Sequence, residues 1–107
     1  MRRRASGLAA LVLGVGACLP GGVSAAPDRE YGAFLAGPCV TCHQVSGTAA
    51  QGVPAIIGWP AEAFIAAMEA FRSGVRPSAV MRLQADGLSD EEIAALAAYF
   101  GELKPAR

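Results

Sequence analysis

Residues 39–43 read Cys-Val-Thr-Cys-His, and this short stretch indicates what lies at the centre of the folded chain. Two thiols separated by two residues can bond to both vinyl groups of one porphyrin, and a histidine directly after the second thiol is placed to ligate the iron. Cys39, Cys42 and His43 therefore predict one covalently attached haem c, with His43 as the proximal iron ligand.

Other chemistry for the same five residues is less well supported by the rest of the chain. A structural zinc site needs four ligands, whereas the chain after residue 25 contains only two cysteines and one histidine. A thioredoxin-like thiol pair would lie between a strand and a helix of a βαβ unit, and the sequence shows no such pattern. A disulfide across two intervening residues would be strained. A thiol protein without haem stays as the third functional class.

The second axial ligand of the iron has few candidates. His43 is the single histidine of the chain, so a second histidine ligand from the same chain is excluded. Met68, Met81, Lys104 and an open site remain. Met68 falls at helical spacing with apolar neighbours and is interpreted as a core residue. Met81 follows a segment with proline and small residues, and we expect an irregular loop there to bring its thioether across the haem. Met81 is therefore the predicted sixth ligand.

Length and composition restrict the protein to one small domain. The chain has 107 residues, and 23 of them are alanines, which bury little area each. Nine basic and nine acidic side chains give no net charge, so a nucleic-acid binder driven by bulk positive charge is excluded. Natural domains of this size add a disulfide, a metal or a cofactor to a small core, and the predicted haem would have this role.

The first 25 residues are predicted to be a secretory signal peptide. Arg2–Arg4 form a basic start, the apolar run from 7 to 19 is too short to span a membrane, and small residues allow cleavage after Ala25. Two alternatives stay open. The segment is an uncleaved membrane anchor, or it is a lipoprotein signal in which Cys18 becomes the lipidated residue.

Residues 26–107 are predicted to be the monohaem domain, located in the periplasm. Covalent attachment of haem needs reduced thiols and delivery outside the cytoplasm, in agreement with an export signal. Six basic and nine acidic side chains remain after residue 25, a net charge of −3. Such a domain favours basic or dipolar partners in a weak, salt-sensitive way.

Hydrophobic periodicity after residue 26 predicts an all-α chain of three to five short helices. A first helix follows Asp28, carries Tyr31, Phe34 and Leu35 at helical spacing, and ends at Gly37-Pro38. A second helix begins with Pro60 at its first position and runs to about residue 73, where a glycine stops it.

The C-terminal helix has the clearest start signal. Ser89-Asp90-Glu91-Glu92 fits the capping box S-x-x-E, and four apolar residues follow at helical spacing: Ile93, Leu96, Ala97 and Phe100.

Residues 44–59 are rich in Gly, Ser, Thr and Pro and are predicted to form a loop. Its strongly apolar residues are expected to line the haem pocket: Val53, Ile56 and Ile57. No run alternates apolar and polar residues over the length of a strand.

The order of these elements resembles a class I cytochrome c. A helix, the Cys39-x-x-Cys42-His43 motif, a Gly/Pro loop, a middle helix, a methionine segment and a capped C-terminal helix follow one another over residues 28–103. More narrowly, the chain is similar to bacterial monohaem cytochromes of the group that contains the haem subunit of flavocytochrome c sulfide dehydrogenase. The stretches that carry this similarity include Gly52-Val53-Pro54-Ala55, Phe71-Arg72-Ser73-Gly74, Val80-Met81 and the run from Gly87 to Phe100. The fold implied is that of a class I cytochrome c, with short helices wrapped around one haem.

The resemblance also implies roles for single residues. The carbonyl of Pro54 would fix the second ring nitrogen of His43. Gly32 would allow the first and last helices to cross near Tyr99-Phe100. Gln44 and Trp59 depart from the family, because many relatives have glycine after the ligating histidine and glutamine before the proline of the middle helix. Trp59 therefore either donates its indole N–H to a haem propionate or only packs.

The implied function is one-electron exchange rather than catalysis, so the chain is not expected to be an enzyme. With His43 and Met81 on its two faces, the iron would have no open site for a substrate. Partners would be redox proteins, including a flavoprotein that oxidises sulfide, docking at the haem edge near Val40-Thr41, Val53 and Ala79-Val80. The alternative is a haem enzyme or gas sensor with five-coordinate iron, in which Met81 would not bind.

Overall fold

The structure is a computed structural model that describes residues 11, 13–17 and 26–105. Five helices follow one another: α1 (Arg29–Leu35), α2 (Gly37–Val40), α3 (Ala61–Ser73), α4 (Ala79–Asp86) and α5 (Asp90–Glu102). The all-α prediction is confirmed, and the β pairing found among the described residues is one isolated bridge between Ala50 and Val53. Most of the predicted signal, including Cys18, lies outside the described residues. Within the described ranges, no helix is long and apolar enough to cross a membrane.

Helix α5 supplies more buried core residues than any other helix of the described residues. The Ser89 hydroxyl accepts a hydrogen bond from the backbone N–H of Glu92 at 3.2 Å, and the Glu92 carboxylate accepts one from the N–H of Ser89 at 2.8 Å. The predicted capping box is therefore confirmed. The four side chains predicted to face inward are all buried: Ile93, Leu96, Ala97 and Phe100.

Helix α1 crosses α5 at Gly32, the buried residue of α1. A Cβ at this position would lie 2.7 Å from the carbonyl carbon of Ala95 and 2.9 Å from Cβ of Tyr99, so only glycine allows this approach. The crossing expected at Gly32 is confirmed. Because the glycine takes the buried position of α1, the aromatic side chains of this helix lie outside the core, and Tyr31 and Phe34 are 42% and 79% exposed.

Helix α3 packs against both α4 and α5. It ends at Gly74, as predicted. This glycine has φ +79°, a left-handed conformation that glycine adopts at little cost because it has no Cβ. Pro60 is the N-cap rather than the first helical residue, so the predicted start differs by one position. Phe64 and Met68 are the buried residues of α3, and the Phe64 ring stacks on Phe100 with centroids 5.8 Å apart.

Met81 lies on a helix, so the prediction of an irregular loop at this position is wrong. The Ser78 hydroxyl accepts a hydrogen bond from the N–H of Met81 at 3.2 Å, and the Ser78 carbonyl accepts one from Arg82 at 2.9 Å. Ser78 is therefore the N-cap of α4, and Met81 is its third residue. Ala85 is the one buried residue of this helix, so the sequence lacks the wide apolar stripe that would have predicted it.

Candidate haem-binding site

Helix α2 and the turn after it place the residues of the Cys-Val-Thr-Cys-His motif. The N–H of Cys39 donates to the carbonyl of Ala36 at 2.9 Å, and the N–H of His43 donates to the carbonyl of Cys39 at 2.8 Å. As a result Cys39, Cys42 and His43 line one cavity. Cys39 is half-buried, Cys42 is exposed, and neither forms a disulfide. Burial raises the pKa of the Cys39 thiol above its ordinary value.

His43 is 7% exposed, and its ring is held by the backbone of Pro54. Nδ1 of the imidazole lies 2.7 Å from the carbonyl oxygen of Pro54. A carbonyl oxygen can only accept, so Nδ1 donates its proton, and the neutral ring then has its lone pair on Nε2. A histidine that donates its other N–H to a carbonyl is the usual arrangement of a metal ligand. This is the contact that the resemblance implied for Pro54.

The cavity has a volume of about 690 Å³ and lies between the 39–43 turn, the 44–59 segment, α3 and α4. This volume falls in the range of small-molecule and cofactor sites, about 300–1,000 Å³. The larger side chains of the wall are mostly apolar: Leu35, Val53, Ile56, Trp59, Phe64, Phe71, Val80, Leu83 and Leu88. The 44–59 segment thus contributes Val53 and Ile56, as predicted.

The residues of this cavity fit a covalently attached haem. Cys39 and Cys42 supply two attachment points on the wall, and the buried imidazole of His43 presents Nε2. None of the residues that line the cavity is acidic, and Arg76 is its charged residue. Among the described residues, no group of three or more His, Cys, Asp or Glu side chains is arranged to hold a metal ion directly. The fit is therefore to a porphyrin rather than to a bare cation.

Two methionines line the same cavity. Met81 on α4 is half-buried, and Met68 on α3 is 6% exposed and belongs to the core cluster. Met68 thus has the core position predicted for it and also contributes to the cavity wall, which the sequence interpretation did not anticipate. Lys104 is exposed and is not part of the cavity lining.

The structure corrects the predicted lining at one position and adds residues that were not predicted, among them Arg76 and Leu83. Ile57 does not line the cavity. It is buried in the core cluster, next to Gly47, with its Cδ1 atom 3.2 Å from where a Cβ of that glycine would lie. Arg76 lines the cavity with its guanidinium carbon 4.9 Å from the centre of the Phe71 ring, and Leu83 lies on the cavity wall while 72% exposed. The spacing of Val80 and Leu83 would have indicated this wall if α4 had been predicted.

Comparisons with known proteins agree with this site. The model of the cytochrome c family matches residues 31–104. The cytochrome subunit of sulfide dehydrogenase from Chlorobaculum tepidum is 38% identical over 75 residues, which cover 70% of this chain and 68% of that protein. Cytochrome c-554(548) from Halomonas halodenitrificans is 39% identical over 82 residues, 70% of this chain and 95% of the relative. The thiosulfate dehydrogenase electron acceptor of Thiomonas intermedia is 36% identical over 73 residues, 66% of this chain but only 34% of that longer protein.

The matched region extends from α1 to the end of α5 and includes the two cysteines and the histidine of the motif. Its five helices and its apolar cavity are those of a domain built around one porphyrin. The prediction of a covalently attached haem c is thereby confirmed, and Cys39 and Cys42 have the spacing that attachment requires. The chain belongs to the cytochrome c family.

Proposed function

We propose that this protein exchanges single electrons through a haem c whose iron is ligated by His43 and Met81. One observation carries the proposal: a buried imidazole with its lone pair on Nε2 and the thioether of Met81 line the same apolar cavity. When bound, the haem would supply reversible one-electron chemistry at iron, and a methionine ligand in addition to the histidine would raise its reduction potential. With His43 and Met81 both holding the haem, the chain by itself would be a carrier rather than an enzyme.

Hydrogen bonds hold the His43 ring and the backbone of the helical turn that carries Met81. The Pro54 carbonyl fixes the His43 ring, and the Ser78 cap fixes the first turn of α4, which carries Met81. The apolar wall keeps water away from the centre and disfavours the extra positive charge of the oxidised state. A rigid, dry site of this kind suits fast electron exchange because little rearrangement accompanies it.

Partners would dock where apolar side chains surround the cavity. Val40, Val80 and Leu83 are 38%, 65% and 72% exposed, and Val80 and Leu83 also line the cavity. A small apolar patch next to the redox centre suits short-lived complexes, which bury little surface. Arg76 adds a positive charge to the cavity wall, suited to the carboxylates of a haem.

The proposed donors are enzymes that oxidise inorganic sulfur compounds. Relatives of this chain are named as a cytochrome subunit of sulfide dehydrogenase and as a thiosulfate dehydrogenase electron acceptor. The specific proposal is a flavoprotein that oxidises sulfide, with this chain receiving its electrons in the periplasm after export by residues 1–25. Anaerobic mixing of the oxidised protein with sulfide should reduce the haem quickly only when such a flavoprotein is present. Equal rates without it would contradict this assignment.

The absorption spectrum of the mature protein tests the ligand assignment first. Expression should use an exporting host with the haem maturation machinery, and spectra should be recorded oxidised, reduced, and reduced with CO. We expect a low-spin spectrum with a sulfur-to-iron band when oxidised and no response to CO when reduced. A high-spin, CO-binding protein would instead support the enzyme or gas-sensor alternative.

Two matched variants identify the methionine ligand. Met81→Ala should keep the haem attached, remove the sulfur-to-iron band and allow CO to bind. Met68→Leu nearly conserves volume in the core, so it should leave the spectrum unchanged. A CO-binding Met68→Leu protein together with an unaltered Met81→Ala protein would transfer the role to Met68.

A further inference from the structure

A tight turn lies between the motif histidine and the proline that holds it. Ala50 and Val53 pair across the turn, with the N–H of Ala50 donating to Val53 at 3.1 Å and the N–H of Val53 donating to Ala50 at 2.9 Å. The two residues between them, Gln51 and Gly52, have φ of +53° and +78°. Positive φ at both central residues is the property of a type I′ turn.

This turn directly precedes the residue whose carbonyl fixes the His43 ring. Pro54 follows Val53 and has no N–H, so it cannot be held by a donor of its own. Within residues 44–57, the two bonds across this turn are the only hydrogen bonds between backbone groups that the structure describes. The 2.7 Å contact from Nδ1 of His43 to the Pro54 carbonyl therefore depends on this turn for its geometry on the N-terminal side.

Gln51 occupies the turn at a conformational cost. It is the one residue other than glycine with positive φ among the described residues. Asparagine and glycine are the residues that favour the first central position of such a turn, because they tolerate the left-handed region. The Gln51 side chain is exposed and its side chain makes no described hydrogen bond, so the structure gives it no contact that would offset this cost.

We infer that the Gln51-Gly52 turn is a positioning element for His43, which sets the strength of the hydrogen bond from its Nδ1 to Pro54 and so the electron donation of the imidazole. The inference rests on the proposed function, in which His43 ligates the iron. A histidine that donates a firm hydrogen bond through its second nitrogen is a more basic ligand. A better turn should therefore favour the oxidised haem, and a poorer turn the reduced haem.

Substitutions at Gln51 test this without removing a buried contact. Gln51→Val introduces a β-branched residue at positive φ, where such residues are strongly disfavoured, and should speed exchange of the His43 Nδ1 proton about tenfold in the reduced protein. It should also shift the reduction potential in the positive direction. Gln51→Asn should slow the exchange severalfold and leave or slightly lower the potential. The Nδ1 proton is followed by NMR, and the potential by a spectroscopic redox titration.

A glycine with positive φ elsewhere in the chain serves as the matched control. Gly74 has φ +79° at the end of α3 and does not line the cavity. Gly74→Ala therefore introduces similar backbone strain without contact with His43. It should lower the stability of the domain. The rate at which the Nδ1 proton of His43 exchanges through local opening, and the reduction potential, should stay unchanged.

The outcomes separate this inference from the function on which it rests. If the unaltered protein lacks the low-spin spectrum expected for His43 and Met81, the proposed function fails. If that spectrum is present but Gln51→Asn and Gln51→Val both match the unaltered protein in exchange and potential, only the positioning role is refuted. If Gln51→Val yields no folded protein, Gln51→Asn decides alone, and an unchanged exchange rate in that variant refutes the role.

Discussion

A single methyl group at the crossing of α1 and α5 should destabilise the whole domain. In Gly32→Ala the new Cβ would lie 2.7 Å from the carbonyl carbon of Ala95 and 2.9 Å from Cβ of Tyr99. Carbon atoms in contact are about 3.5–4.0 Å apart, so α1 would have to withdraw from α5 by roughly 1 Å. Both opposing atoms belong to or adjoin the backbone, so rotation of a side chain cannot relieve the overlap.

The cost can be bounded from the contacts that this movement disturbs. Overpacking of a close contact costs about 1–3 kcal/mol, and a gap of 0.5–1 Å forfeits about a quarter to a half of the dispersion attraction along the interface. The crossing also carries the ion pair between Arg29 and Glu102 and the hydrogen bond from the Tyr31 hydroxyl to Glu92 at 3.0 Å. Alanine regains about 1 kcal/mol of helix propensity over glycine. We expect a net loss of about 3 kcal/mol, or roughly 12–24 °C in melting temperature for a domain of this size.

Guanidinium unfolding of the haem-attached protein, followed by far-ultraviolet circular dichroism, measures this loss. Gly37→Ala is the control, because a Cβ there meets no atom within 4 Å and the residue already begins a helix. Its free energy of unfolding should stay within about 0.5 kcal/mol of that of the unaltered protein, the usual range for surface changes. If Gly32→Ala and Gly37→Ala unfold at the same midpoint, the close approach of the helices is not what stabilises the domain.

Three further predictions concern the N-cap of α5, the stability of the fold at acidic pH and the attached haem. Ser89→Ala should cost about 1 kcal/mol, and Ser89→Asp, which still accepts the capping bond, should recover most of it in the same unfolding assay. The N–H of Ser89 and the hydroxyl of Tyr31 hold the pKa of Glu92 below its ordinary value of 4.5. A carboxyl group with a lowered folded pKa stabilises the fold at pH values above its ordinary pKa. The stability difference between Tyr31→Phe and the unaltered protein should therefore shrink as the pH falls below 4.5, and a difference that grows with acid would contradict this. Replacing Cys39 and Cys42 together by alanine should abolish the attached haem. The variant should also lose cooperative unfolding, because a cavity of about 690 Å³ loses its occupant. A cooperatively folded apo-protein would contradict this prediction.

The sequence predicted those features whose determinants are local. The haem motif is five contiguous residues, so it can be recognised without knowledge of distant parts of the chain. Gly74 ends α3 and Ser89 begins α5 through contacts within three residues, and both boundaries were predicted. Helix α4 was not predicted, because its main determinants are not local. It has eight residues and one buried position, so its stability comes from a cap and from packing against α3 rather than from its own periodicity.

The sequence by itself determined a covalently attached haem, an all-helical fold and a single histidine, His43, as the candidate iron ligand. Only the tertiary structure decided which apolar residues meet the cavity. It buried Ile57 in the core, left Phe34 exposed and placed Met68 on the wall of the cavity that Met81 also lines. Periodicity reports which side chains share a face, but the neighbour of that face is set by how helices cross, here by the contact of Gly32 with α5.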